Sequence, residues 1–343
     1  MDYAGLIGKF KVNRFLTQEE KDHQLHQKRR LAANPHYQFC VIKLNSTYLE
    51  SADKWYGKKG FLNLIAVVLL LLFGCFLAPM AIELLLEGFG IIPQKTSEDN
   101  ILAYGSVLTA MLFPMFALLF WLLKKESFAF THYPTRYNRK TGMVHVFRVD
   151  GSILSVPWKD IYFTMAQVDH VHKYWNIFGH VLAKDGVTVL DSFALSISEI
   201  VSPDGLLMLQ SHWEFIRRYM EDGPESISGQ VQFCLPISEQ RESFTFGMHR
   251  LLANNSTNSP GSFALTLASM PLDIVTAPFR YFGIRTSKIP QWPTVIDAEC
   301  AVEIGDPYAI EGGCHGERIA VFSDAASAAG VGFKAPPNPP YKI

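Results

Sequence analysis

The sequence predicts a hairpin of two transmembrane helices attached to a cytoplasmic α+β domain. Three observations predict it. Phe61 to Ile82 is a run of 22 residues without a charge, and Ile101 to Leu123 is another of 23. Turn dipeptides then divide the chain into short apolar stretches, and after residue 202 the apolar period lengthens from two to between three and four. Of the 343 residues, 48% are hydrophobic and 18% charged, which excludes a wholly disordered chain or a coiled coil.

Residues 1–60 read as an N-terminal cytoplasmic segment with 11 positive and 6 negative side chains. The first apolar run starts only at residue 61 and lacks the short core of a signal peptide, so a retained N-terminus is expected. At about 1.5 Å per residue each run makes a helix of about 33 Å, enough for a hydrocarbon layer about 30 Å thick. Pro79 and Pro114 fall inside the runs, where a kink is expected. Lys54, Lys58 and Lys59 abut the first run and Lys124 and Lys125 close the second. The loop 83–100 between them carries one lysine against Glu83, Glu87, Glu98 and Asp99. The positive-inside rule therefore puts both termini in the cytoplasm. Gly74 with Ala78, Gly105 with Thr109 and Ser106 with Ala110 offer small surfaces for helix packing. Neither run contains Asp, Glu, Lys, Arg or His, which disfavours a channel or pump.

Residues 124–225 read as a β-rich domain. Thr141-Gly142, Asp150-Gly151 and Asp185-Gly186 mark turns. Strands are expected at 143–149, 152–158, 161–165, 168–175, 177–183 and 187–193; Ile161, Phe163 and Met165 alternate with Tyr162 and Thr164 as a half-buried strand requires. A closing helix is expected over 203–222, with Ser202 as N-cap, Pro203 in its first position and Gly223-Pro224 as its stop. Leu206, Leu209, Trp213, Ile216 and Met220 form one apolar stripe along it. A meander closed by one amphipathic helix describes a pleckstrin-homology-like (PH-like) barrel, and a plain α+β sandwich fits the same pattern. Residues 226–343 read as a C-terminal extension with a possible strand at 231–237, a polar loop at 254–262, a largely apolar segment at 263–284 suited to a membrane interface or a buried helix, and a Pro-rich tail at 335–340.

Little in the sequence points to catalysis. It has no phosphate-binding loop, dinucleotide fingerprint, zinc-protease motif or nucleophile elbow. His170 and His172 with His180, supplemented by Asp169 and Asp191, are the best metal candidates, but no further ligand at clustered spacing completes a set. Structural histidines are the plainer reading. Cys314-His315 sits among glycines, yet adjacent residues on a loop usually point apart. Five cysteines without a close pair suggest reduced thiols, and neither a metal nor another cofactor is expected. Residues 124–343 carry a net charge of −3, so Trp158, Trp175, Trp213 and Trp292 read as packing residues and no nucleic-acid partner is expected.

The stretch Trp213 to Pro224, which includes Arg217, Arg218 and Gly223, resembles the helix end of an uncharacterised proteobacterial family of two-span membrane proteins. Arg285 to Pro293, with Trp292, Asp297, Glu299, Cys300, Asp306 and Pro307, is similar to that family's C-terminal signature, and the likeness begins at Tyr48-Leu49-Glu50. The resemblance implies an inner-membrane protein often encoded beside type VI secretion, polymorphic-toxin and immunity genes. It implies no reaction. The expectation is a non-enzymatic, membrane-anchored module that binds a toxin, an effector or a secretion component, with homo-oligomers possible. The alternatives are a secreted effector that inserts in a target membrane and a membrane enzyme with a cleft around His170, His172 and Asp191.

Overall fold

The computed structural model describes residues 2–95, 100–167, 174–200, 203–231, 233–257 and 263–311. In chain order the elements are β1 (Arg14–Phe15), α1 (Gln18–Asp22), β2 (Gln24–Leu25), β3 (Val41–Leu44), β4 (Tyr48–Ser51), α2 (Phe61–Leu72), α3 (Ala78–Gly88) and α4 (Ile101–Glu126). There follow β5 (Thr135–Asn138), β6 (Met143–Phe147), β7 (Ile153–Pro157), β8 (Ile161–Gln167), β9 (Tyr174–Leu182), β10 (Thr188–Ile200) and α5 (Pro203–Asp222). The chain continues with α6 (Phe244–Thr257), α7 (Phe263–Thr286), α8 (Thr294–Glu299) and β11 (Ile310–Glu311).

Two helices are long and apolar enough to cross a membrane, Tyr56–Gly88 and Ile101–Glu126. Their outer faces are bare, with Phe76 69% and Phe113 78% exposed. A π-helical turn at Phe73–Leu77 joins α2 to α3 just before Pro79, where the ring leaves a carbonyl without its donor. α4 runs through Pro114 without interruption. The first helix continues past residue 82 to Gly88, which shortens the expected loop. Packing explains the extension, because α3 and α4 approach very closely: a Cβ on Gly105 would lie 2.9 Å from the Leu85 nitrogen, and one on Gly88 would lie 2.6 Å from the Leu102 Cα. Gly74, in contrast, faces open space, so of the two glycines expected in helix packing Gly105 is the one that meets the other helix.

The strands form two antiparallel sheets, ordered β1-β10-β9-β8-β2 and β11-β3-β4-β5-β6-β7. Neither closes on itself, so the fold is mixed α and β and the expected PH-like barrel is not formed. β1 and β2 add to β10 and β8 at the two edges of one sheet, and β4, β3 and β11 extend the other outward from β5, which covers meander edges that closure would otherwise remove. The meander follows the predicted turns through β6, β7 and β8, while 177–183 belongs to a β9 that already starts at Tyr174. Residues 168–173, which hold the start of the expected fourth strand, lie outside the described residues, as do Ser202, Asp169 and the Pro-rich tail. The segment 231–237 is not a strand among its described residues. Leu235 N donates to Val41 O at 2.7 Å, but Pro236 has no donor to extend a ladder. Asn254 to Thr257 are helical rather than looped.

α5 begins and ends as expected, and Gly223 terminates it with φ +98° while its N–H bonds Arg218 O at 2.9 Å. The stripe holds: Leu209, Trp213, Ile216 and Met220 are buried with residues of both sheets, among them Phe163, Ile177 and Tyr137. The helix is not amphipathic throughout, however, since every residue from His212 to Met220 is buried. Trp213 stacks on Trp158 with ring centroids 5.6 Å apart and leans on Phe163 at 4.8 Å.

A polar collar ties the long helices to this body. Glu126, the last residue of α4, accepts hydrogen bonds at 3.0 Å from the backbone N–H groups of Gly60 and Asn63 at the start of α2. The carboxylate thus caps a helix end whose donors have no partner of their own. α7 crosses at the same level. A Cβ on Gly60, whose φ is +102°, would lie 2.6 Å from the Arg280 Cα. Arg280 makes a bidentate pair with Glu242 at 2.6 and 2.8 Å and donates to Tyr56 O at 2.7 Å.

With Trp213 fully buried between aromatic rings, Trp213→Ala should cost about 3–5 kcal/mol. Denaturation of the full chain in detergent should show an earlier transition, and an unchanged midpoint would refute this packing.

Candidate functional site

A cleft opens at the foot of the first long helix. Its walls come from Lys54, Tyr56, Gly57 and Lys58 just before α2, from Ser196–Glu199 of β10, from Gln38 and Cys40, and from Arg250 of α6. Local sequence explains the near wall. Asp53 accepts from the N–H groups of Trp55 at 2.8 Å, Tyr56 at 2.9 Å and Tyr133 at 2.6 Å, so one side chain folds the turn and fastens it to the approach to β5.

The charges in this cleft differ in their engagements. Lys54 is buried and committed, donating to Asp2 at 2.6 Å and to Asn176 at 2.8 Å. Burial nonetheless pulls its pKa down to about 8. Lys58 is half-buried, with its Nζ 5.7 Å from the Tyr174 ring centroid. Burial pushes the Glu199 carboxyl up to about 7 against the attraction of Lys58. Burial also raises the Cys40 thiol to about 12, so that group is neutral. Arg250 is 9% exposed, and its Nε has no hydrogen-bond partner. Burial holds its pKa below the ordinary arginine value, and the charge of Arg280 acts in the same sense.

The residues singled out by sequence lie elsewhere, in two closed ionic clusters. In one, Glu214 accepts from Arg217 at 2.8 Å, from Arg218 at 3.1 Å and from the Leu31 N–H at 2.8 Å, while Arg217 also reaches Asp222 at 3.2 Å. Gly223 and the buried Pro224 follow directly, and Trp213 packs in the core beneath. In the other, Trp292 Nε1 donates to Glu50 at 3.1 Å. Arg136 pairs with Glu50 at 2.8 Å and Asp297 at 2.6 Å, and its guanidinium lies 4.7 Å from the Trp292 ring centroid. Pro293 precedes α8 at its N-cap. These contacts fasten the N-terminal strands and the C-terminal segment to the meander.

His170, His172, Cys314 and His315 lie outside the described residues. His180 is buried, with Nδ1 2.8 Å from Ser192 Oγ and Nε2 3.2 Å from Glu20. Asp191 pairs with Arg148. Among the described residues no group of three or more His, Cys, Asp or Glu side chains is placed to hold a metal ion. The cleft itself escaped sequence reasoning. Lys54 and Lys58 stood out only as charges flanking a span, and Arg250 is an isolated arginine in a helix that carries no motif.

A family model described as "Family of unknown function (DUF6708)" matches residues 111–303, more than half of the chain, and the protein belongs to that family. The match runs from within α4 through the meander, α5 and α7 to just beyond α8. No curated protein and no solved structure matches the chain.

Glu199 gives this region a pH signature. An acid whose folded pKa lies above its ordinary 4.5 holds an extra proton in the native state, so its contribution is complete below about pH 4.5 and is lost as the pH rises through 7. Glu199→Gln should therefore match the wild type near pH 4.5 and exceed it by roughly 1–3 kcal/mol at pH 8. Stability curves that stay parallel across that range would refute the assignment.

Proposed function

We propose that this protein is a non-enzymatic binding module anchored in a bacterial inner membrane by its helical hairpin, with both termini in the cytoplasm. The observation that carries the reading is the pairing of bare apolar helices with a polar collar at one end. The faces of Tyr56–Gly88 and Ile101–Glu126 suit lipid, and the collar of Glu126, Asn63, Arg280 and Glu242 suits the border with water. α7 adds support, because Ile274, Val275 and Phe282 are exposed on a helix that leans against the foot of α2. This favours contact between α7 and the interface.

The partner is a toxin, effector or secretion component, in keeping with the gene neighbourhood that the sequence resemblance implies. Binding rather than turnover is favoured because the motif arginines and Trp292 are used up in internal contacts, and because among the described residues β2 and β7 carry no further strand on their outer edges. Anchoring raises the local concentration of the module at the membrane, so that modest affinity suffices for a membrane-bound partner.

Topology is tested with cysteines at exposed sites, because Cys300 is buried and would stay silent in either orientation. A membrane-impermeant thiol reagent on whole cells should label Gln94→Cys and spare Lys159→Cys; the reverse pattern would invert the assignment. Function is tested by deleting the gene and expressing the toxin candidate encoded beside it. The deletion strain should be more sensitive, and detergent pull-down should recover the toxin or a secretion-locus product. Equal sensitivity with no such product recovered would sink this reading in favour of an effector or an enzyme.

A further inference from the structure

Arg250 presents an unusual problem of charge. A guanidinium is charged at any physiological pH, and burying it without an anion costs several kcal/mol. The anions that could meet that cost are occupied or discharged. Both oxygens of Glu242 bind Arg280, and one of them also accepts from the Tyr56 hydroxyl. Asp53 is spent on three backbone N–H groups. The Cys40 thiol is neutral. Glu199 shares the cleft, but among the described residues no carboxylate forms an ion pair with Arg250. Arg250 therefore lines the cleft as a cation without an ion-pair partner among the described residues, while Lys58 stands on the same cleft within the attraction of Glu199 and Asp2, and Ser198 lies on the same wall.

We propose that this cleft binds a phosphate-type oxyanion, held by the Arg250 guanidinium and the Lys58 ammonium with the Ser198 hydroxyl as a further donor. The planar guanidinium offers paired N–H donors that match two oxygens of such a group, and the flexible ammonium supplies a point charge. Lys58 stands three residues before Phe61, where the first apolar helix begins, so the cleft opens at the level where phospholipid headgroups would lie. The anion is thus either the phosphate of an anionic lipid or a soluble phosphoryl compound, and the chemistry of recognition is common to both. This site is independent of any toxin partner.

Isothermal titration of the full chain in detergent micelles tests the proposal, with inorganic phosphate, dioctanoyl phosphatidylglycerol and dioctanoyl phosphatidylcholine as probes. Saturable binding of phosphate would assign a soluble ligand, and saturable binding of phosphatidylglycerol alone would assign a headgroup. In either case Arg250→Gln should weaken binding at least tenfold, Arg250→Lys should restore part of it, and Lys58→Gln should weaken it to a smaller degree. The melting temperature in anion-free buffer separates a binding role from a structural one. Arg250→Gln removes an uncompensated charge and should melt no lower than the wild type. The proposal is overturned if neither phosphate nor phosphatidylglycerol binds, if Arg250→Gln binds as tightly as the wild type, if phosphatidylcholine binds equally well, or if Arg250→Gln melts lower or fails to fold.

Discussion

Glu126 fastens the end of one long helix to the beginning of the other, and the arrangement of the protein turns on that bond. Its carboxylate takes the N–H groups of Gly60 and Asn63, and its own carbonyl accepts from Ser287 at 3.1 Å just past α7. Asn63 extends the junction, receiving a bond from Ser127 at 3.1 Å and donating towards Phe279 O at 3.4 Å. Three helices therefore meet at a point where backbone groups would otherwise lack partners at the edge of an apolar region. The glycines at 60 and 283 follow from this crowding. A Cβ on Gly283 would lie 2.7 Å from the Asn63 amide nitrogen, just as one on Gly60 would strike Arg280.

The sheet imposes the same closeness from below. β4 ends at Ser51 and β5 begins at Thr135, and these two residues pair directly across adjacent antiparallel strands. The whole helical hairpin is thus an insertion between neighbouring strands, so its two feet must stand side by side whatever the collar does. The buried pair of Glu50 with Arg136 lies one step along the same ladder and is covered by Trp292. Breaking either partner would strand a charge in the interior, which makes the register of β4 on β5 costly to change.

Sequence reading succeeded where the signal is local. Uncharged runs identify long apolar helices, the 3-4-3-4 stripe identifies α5, and the dipeptides at Gly142 and Gly151 sit at positive-φ turns between strands. It failed where structure depends on distant partners. β1 and β2 are two residues long and exist only because Phe15 and Leu25 meet Thr188 and Phe163 from far along the chain. The barrel expectation went wrong for that reason, since nothing near residues 14–25 or 41–51 announces that they will join the sheets of the meander. The cleft was invisible in the same way. Whether Arg250 faces water, a carboxylate or a cleft is decided by Glu242 and Tyr56, which belong to other elements and show no spacing relation to it.

The placement of the hairpin between β4 and β5 also orders the assembly of the protein in time. During synthesis β3 and β4 emerge before the hairpin, and β4 has no outer neighbour until α2, α3 and α4 have been made and the chain has come back to residue 135. Until then β4 is an unpaired edge on a chain in search of long-range contacts, the condition most exposed to misassociation and to proteolysis. β5 can pair only when α4 runs back to the end of the hairpin from which α2 departs, where Glu126 meets Gly60 and Asn63. Completion of the six-stranded sheet thus waits on the return of the second foot of the hairpin to the first, and the pairing of Ser51 with Thr135 records that return.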